Sequence, residues 1–201
     1  FAIPQKDGSN ELFKHFTSFG KLMQDAGYST AVAGKWHIGG AEQPHAKHVG
    51  FTEYCLWEGQ KELNMLPGKP KHMGAWEDEK SPSRYWHPCI VKNHHVVPTT
   101  EDDYGPDIFT DFLCDFMESN VKAGKPFLAY YPMVAPHGTR NGSPSNPQFG
   151  EKGDLGLNKD NNKKNFRALN DYIDVLVGRL ENKAKDLGVM DNTIIIFCSD
   201  N

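Results

Sequence analysis

Gly27-Tyr28-Ser29-Thr30-Ala31-Val32-Ala33-Gly34-Lys35-Trp36-His37-Ile38-Gly39-Gly40 decides how the rest of this chain is read. The small and β-branched residues from Ser29 to Ala33 predict a short buried strand that delivers a lysine and a histidine at its carboxyl end. Side chains at i and i+2 of an extended chain point to the same face, so Lys35 and His37 project together while Trp36 packs the other way. A cation and a proton-transfer group then share one cleft. Gly34, Gly39 and Gly40 mark a backbone that turns sharply or lets another group approach closely.

Upstream, Leu12, Phe16, Phe19, Met23 and Ala26 recur at steps of four, three, four and three, which is one apolar face of a helix. Asn10 is its candidate N-cap and Gly27 its stop, so a helix hands the chain directly to the strand, as in layered α/β proteins. Downstream, Phe51 to Trp57 predicts a second strand. Residues 58–103 are dense in Pro, Gly, His, Trp and charge without lasting periodicity, an excursion with at most short strands; His94-His95 read as a solvated turn. Pro106 and Asp107 open a helix faced by Ile108, Phe109, Phe112, Phe116 and Met117, ending near Gly124.

Residues 126–134 form a near-continuous apolar run, predicting a strand buried on both faces that ends in Ala135-Pro136-His137. A second polar excursion covers 138–164. The longest helix follows, with Phe166, Leu169, Ile173, Leu176, Val177, Leu180, Ala184 and Leu187 as its face and Gly188 as its stop. Thr193-Ile194-Ile195-Ile196-Phe197-Cys198 then predicts a buried strand running out into Ser199-Asp200-Asn201.

This alternation is the pattern of an α/β fold, a mostly parallel sheet flanked by helices with two long irregular excursions. Each strand delivers polar groups where it ends: Lys35 and His37, then His137, then Asp200 and Asn201. In open α/β sheets ligands bind beyond the carboxyl ends of the strands, so these sequence-distant groups can meet at one rim.

The 201 residues, 38% of them hydrophobic, suffice for a sizeable core. A net charge of −4 with no basic stripe interleaved with aromatics argues against nucleic acid as the partner. No run of 18 apolar residues exists, so no membrane-spanning helix is expected. The four cysteines show no C-x-x-C spacing, which gives no zinc site, and Cys55 and Cys198 sit in apolar runs as buried small hydrophobes. Asn141-Gly142-Ser143 fits a glycosylation acceptor. The chain starts at Phe1 and stops directly after an apolar run, so residues 1–201 are expected to be part of one catalytic domain truncated at both ends. A missing leader then says nothing about export.

The spacing Gly-Tyr-x-Thr-x-x-x-Gly-Lys-Trp-His-Ile-Gly resembles the second signature of the sulfatases, members of the alkaline phosphatase superfamily. Pro126 to His137 is similar to the sulfatase strand ending in Ala-Pro-His. Asp191 to Asn201, with the helix carrying Asp174, Val177, Gly178 and Arg179, resembles the segment ending in a metal-binding Asp-Asn. The resemblance covers most of the chain from about Asn10 and implies an alkaline-phosphatase-like fold and a sulfuric ester hydrolase.

It further implies that Asp200 and Asn201 are oxygen ligands of a calcium ion, a sensible donor pair for a hard cation. Lys35 would hold a sulfate oxygen, His37 would contact the nucleophile and help eject sulfate, and His137 would lie by the ester oxygen as proton donor to the leaving alcohol. Sulfuryl transfer spreads negative charge over several oxygens, which fixed cations stabilise.

The family's nucleophile is a Cys or Ser processed to formylglycine in a Cys/Ser-x-Pro-x-Arg motif, and no stretch of this chain has it. Ser81-Pro82-Ser83-Arg84 comes nearest, but its nucleophile position is Lys80. The family's other metal-binding aspartates and its later sulfate-binding lysine have no counterpart either. The chain alone is therefore expected to be inactive, and metal binding by Asp200 and Asn201 alone to be weak.

The resemblance favours a periplasmic or secreted protein. Trp57, Trp76, Arg84, Tyr85, Trp86 and His87 in and beside the first excursion suit either stacking on a sugar or simple packing within the loop, and the expected substrate is a carbohydrate sulfate or an aryl sulfate. Rival readings are a phosphodiester or phosphonate monoester hydrolase of the same superfamily, and a non-catalytic binding module that keeps the fold.

Overall fold

Ser29–Lys35 form the strand that the quoted stretch calls for, and each residue from Thr30 to Gly34 is buried. The computed structural model describes residues 17–36, 45–57, 76–78, 81–82, 84–100, 102–137, 143–144 and 159–199. In chain order its elements are α1 (Phe19–Asp25), β1 (Ser29–Lys35), α2 (His45–His48), β2 (Glu53–Trp57), β3 (Trp76–Asp78), β4 (Ser81–Pro82), β5 (Ile90–Lys92), β6 (His95–Val97), α3 (Gly105–Lys122), β7 (Phe127–Tyr130) and α4 (Lys159–Asp186), then a 3-10 turn at Met190–Asn192.

The main sheet has the order β6-β5-β2-β1-β7. β1 pairs in parallel on both sides, with Lys35 opposite Trp57 of β2 and Ser29 opposite Phe127 of β7. β5 runs antiparallel to β2 and to β6, so β5 alone opposes the common direction. Asn93 and His94 close the β5–β6 hairpin at φ 47° and 71°, the left-handed pair of a type I′ turn, so the turn expected at His94-His95 sits one residue earlier and His95 opens β6.

Alternation along β1 divides the core. Ala31 and Ala33 face Phe109, Phe112, Leu113, Leu169 and Leu176 of α3 and α4, while Val32 faces Val49, Phe51, Tyr54 and Leu56. Each fully buried Leu or Phe of this kind contributes about 1.5–3 kcal/mol. α3 keeps the predicted face, with Phe109, Phe112, Phe116 and Met117 buried and Asp107 in its first turn. Its outer side is tied to α4 by Arg179, which pairs with Asp107 at 2.5 Å and also with Asp111, and by Lys183 to Glu118 at 2.5 Å.

Four expectations need correction. The apolar spacing predicts one helix from Asn10, yet Thr17 and Ser18 lie outside the helix, which starts at Phe19. Ser18 is extended at φ −75°, ψ 157°; its hydroxyl accepts from the Lys21 N–H at 3.0 Å and donates to the Val49 carbonyl at 2.5 Å. That cap sets the start of the helix and its roll, leaving Phe19 exposed and Gly20 against the sheet, where a Cβ would stand 2.6 Å from the Val49 carbonyl. Asn10 lies outside the described residues. The other end matches expectation: Tyr28 N–H to Met23 O and Gly27 N–H to Gln24 O, both 3.0 Å, close a Schellman motif.

β7 is not buried on both faces. Among the described residues it is the sheet edge, its burial only intermediate and Tyr130 exposed. Thr193 to Cys198 is no buried strand: it joins no ladder among the described residues, and Ile194, Ile196 and Phe197 are 88%, 84% and 68% exposed. Strand propensity describes side chains that suit a sheet, but it supplies no partner for the backbone, and none is described here. Cys198 is accordingly exposed, whereas Cys55 is buried as expected. The first excursion holds only short strands, as expected, although Tyr85, Cys89, Ile90 and Val91 belong to the core and β5–β6 extends the main sheet. Lastly, the second excursion does not last to 164, because α4 already runs from Lys159.

Candidate functional site

Lys35 closes β1 directly after a backbone conformation that favours glycine. Gly34 has φ +118°, and a Cβ on it would stand 2.2 Å from the Pro132 carbonyl, the oxygen that accepts the Lys35 N–H at 2.7 Å. Here the close approach read from the glycines is realised at Gly34. The chain leaving β7 thus runs beside the end of β1, and it continues through the cis Ala135–Pro136 bond to His137. Because β1, β2 and β7 are parallel, Lys35, Trp57 and His137 all follow strand ends on one rim of the sheet.

Two neighbours from the first excursion hold that rim together. Arg84, 6% exposed, lays its guanidinium over the Trp57 ring, 4.3 Å from the centroid, and places Nη1 3.0 Å from His137 Nδ1. Tyr85, fully buried, donates its hydroxyl to the His137 carbonyl at 2.8 Å and lies 3.2 Å from the Val134 carbonyl. Their segment is anchored in turn by the Gly105 N–H to Tyr85 carbonyl bond at 2.7 Å, at the start of α3. Lys35, Trp57, Arg84 and His137 therefore form a contiguous run of register pair, cation–π contact and hydrogen bond.

This clamp is not legible in the sequence, where Arg84 and Tyr85 suit loop packing as well as a sugar, and nothing in periodicity shows that a loop will fold back under a strand end. Trp57, Arg84 and Tyr85 are spent on packing, and Trp86 lies 4.9 Å from the Tyr104 ring, ring centre to centre. The side chain of Trp76 lies outside the described residues, as do His37, Asp200 and Asn201. Trp36 packs against the Phe51 side of the sheet, as alternation predicts.

Below the rim the environment is apolar. Burial pushes the Cys55 thiol up to about 12, with Lys92 offsetting part of the effect, so this cysteine is an inert filler. Burial also raises the phenols of Tyr104 and Tyr131 well above their ordinary range. Among the described residues no group of three or more His, Cys, Asp or Glu is arranged to hold a metal. Asp200 and Asn201 offer a carboxylate and an amide oxygen, donors that fit a hard divalent cation but are too few to complete its shell. No helix of the described residues is long and apolar enough to cross a membrane.

The family model described as Sulfatase matches residues 2–201. N-acetylglucosamine-6-O-sulfatase of Bacteroides thetaiotaomicron is 35% identical over 133 residues, covering 66% of this chain and 18% of that protein. The uncharacterized sulfatase YdeN of Escherichia coli is 30% identical over 189 residues, covering 90% and 32%. N-acetylgalactosamine-6-sulfatase of Canis lupus familiaris is 26% identical over 187 residues, covering 90% and 32%. Among solved structures, Ps i-CgsB gives a TM-score of 0.62 at 23% identity, covering 87% of this chain and 37% of that one. The PsFucS1 sulfatase from Pseudoalteromonas sp. gives 0.55 at 17%, covering 88% and 36%. The chain spans well under half the length of the curated relatives it matches.

Proposed function

Because the chain belongs to the sulfatase family, we propose that it forms part of one catalytic domain of a sulfuric ester hydrolase acting on a sulfated carbohydrate. The observation that carries this reading is the shared rim, where the strand ending in Lys35 runs parallel to the one leading to His137 and is joined to it through Pro132, while Arg84 ties His137 to Trp57 at the end of β2. Two of the relatives are named as 6-sulfatases of N-acetylated amino sugars, which supports a sugar sulfate as a substrate.

In this reading Lys35 holds a sulfate oxygen and offsets the charge that grows on the transferring group. His137 gives the leaving oxygen its proton as the sulfur–oxygen bond breaks. A positioned acid is typically worth ~100- to ~10,000-fold, most for esters whose alcohol leaves poorly. His37 meets the nucleophile and assists release of sulfate. The nucleophile, a formylglycine, belongs to residues outside this chain. Asp200 and Asn201 would hold a calcium ion, which when bound supplies fixed positive charge to the sulfate oxygens. A periplasmic or secreted location is part of the same proposal.

The test is hydrolysis by the whole protein of 6-O-sulfated amino sugars, para-nitrophenyl sulfate and a phosphonate monoester. Turnover of the sugar sulfate, lost in Lys35→Ala and in His137→Ala, is the expected result. Preference for the phosphonate would assign the protein to the rival hydrolases, and no turnover of any ester would leave a binding module.

A further inference from the structure

We propose that Arg84 is a positioning residue for His137, fixing which ring nitrogen carries the proton and where it points. The inference rests on the reading of His137 as the group that serves the leaving oxygen. A guanidinium has five N–H donors and no acceptor, so the nitrogen 3.0 Å from Arg84 Nη1 receives a hydrogen bond. His137 Nδ1 is thereby an acceptor, and Nε2–H is the one N–H of the ring.

The clamp leaves this arrangement little freedom. Arg84 is 6% exposed with its guanidinium over the Trp57 ring, while Tyr85, one residue on, holds the His137 carbonyl at 2.8 Å. Ring and backbone of His137 are thus gripped by consecutive residues of one segment. As the sulfur–oxygen bond breaks, its electron pair passes to the ester oxygen, and the Nε2 proton shifts toward that oxygen. Giving up its one N–H proton leaves the ring an imidazolate, and that negative charge faces the Arg84 cation at Nδ1. Arg84 touches neither the ester nor the nucleophile in this scheme; it acts through the imidazole.

The signature of such a role is selectivity by leaving group. An aryl sulfate needs little help from a proton, whereas a sugar sulfate needs much. In the whole protein, Arg84→Met should lower kcat on a sugar primary-alcohol sulfate by up to roughly 100-fold, the scale of a misplacement near 1 Å. On para-nitrophenyl sulfate the loss should be only a few-fold, with KM little changed on both. His137→Ala should show the same bias, and Arg84→Lys, which keeps a donor and a cation over Trp57, should recover part of the loss.

Equal losses on the two esters, or none, for Arg84→Met while His137→Ala keeps its bias would overturn the role of Arg84 and leave the sulfatase reading standing. No leaving-group bias in His137→Ala, or a whole protein inert to both esters, would overturn that reading and this inference with it. Should Arg84→Met fail to fold by circular dichroism, Arg84→Lys carries the comparison: a loss several times larger on the sugar sulfate supports the role, and equal losses overturn it.

Discussion

Gly34→Ala should damage both the fold and the site, and its cost can be worked from two distances. The new Cβ would stand 2.2 Å from the Pro132 carbonyl oxygen, so the chain beyond β7 must retreat by about 1 Å to reach ordinary contact. Alanine at φ +118° adds strain of about 1–3 kcal/mol. If the carbonyl retreats it abandons the Lys35 N–H, now 2.7 Å away, and an unsatisfied buried donor costs a further 1–3 kcal/mol or so. A sum of roughly 2–6 kcal/mol corresponds to a fall in melting temperature of about 4–24 °C for a chain of this size.

Circular-dichroism melts measure the first effect, and kcat of the whole protein measures the second, where displacing Lys35 should cost on the order of 100-fold. Gly178→Ala is the internal control with opposite sign. It lies in α4 with nothing within 4 Å of its would-be Cβ, so alanine should stabilise by about 0.5–1 kcal/mol. A melting temperature for Gly34→Ala within about 2 °C of the parent, with kcat unchanged, would refute the close approach on which the reasoning depends.

Tyr85→Phe removes the donor to the His137 carbonyl and should destabilise by about 1–3 kcal/mol in urea unfolding, against no change if that hydroxyl were idle. Hydrogen bonds from Lys122 and Lys183 hold the Glu118 carboxyl down to about 2 from 4.5. A depressed folded value means that its stabilisation is present above pH 4.5 and is lost as pH falls toward 2, so the melting-temperature difference between the parent and Glu118→Gln should shrink across that window. A constant difference there would contradict the pairing. Burial pushes both Cys55 and Cys89 up to about 12, so in the folded chain a thiol reagent at pH 8 or so should label the exposed Cys198 rapidly and leave those two until denaturant is added.

The sequence disclosed whatever is written in repeating patterns. β1 and α3 have apolar spacings dense enough to fix their type and their buried faces, α4 its type although Phe166 of its expected face is exposed, and the parallel pairing of β1 with β7 follows from helices placed between strands. Patterns failed where a single partner decides the outcome. Ser18 sets the start of α1 through hydrogen bonds to Lys21 and Val49, one of them to a residue 31 positions away. Thr193 to Cys198 has the composition of a buried strand but no neighbour among the described residues. The site was legible only as a set of strand-end residues: Lys35 and His137 were named, while Arg84, which touches His137, read equally as a sugar contact or as loop packing.

That grip reaches His137 from a loop and not from the sheet. Under the role proposed for Arg84, exchanging this largely buried segment for that of a relative would also exchange the residue that aims the imidazole. Substrate choice and turnover would then be mechanically coupled through Arg84 and Tyr85, and a chimera that replaces both should bind its new sugar and hardly cleave it.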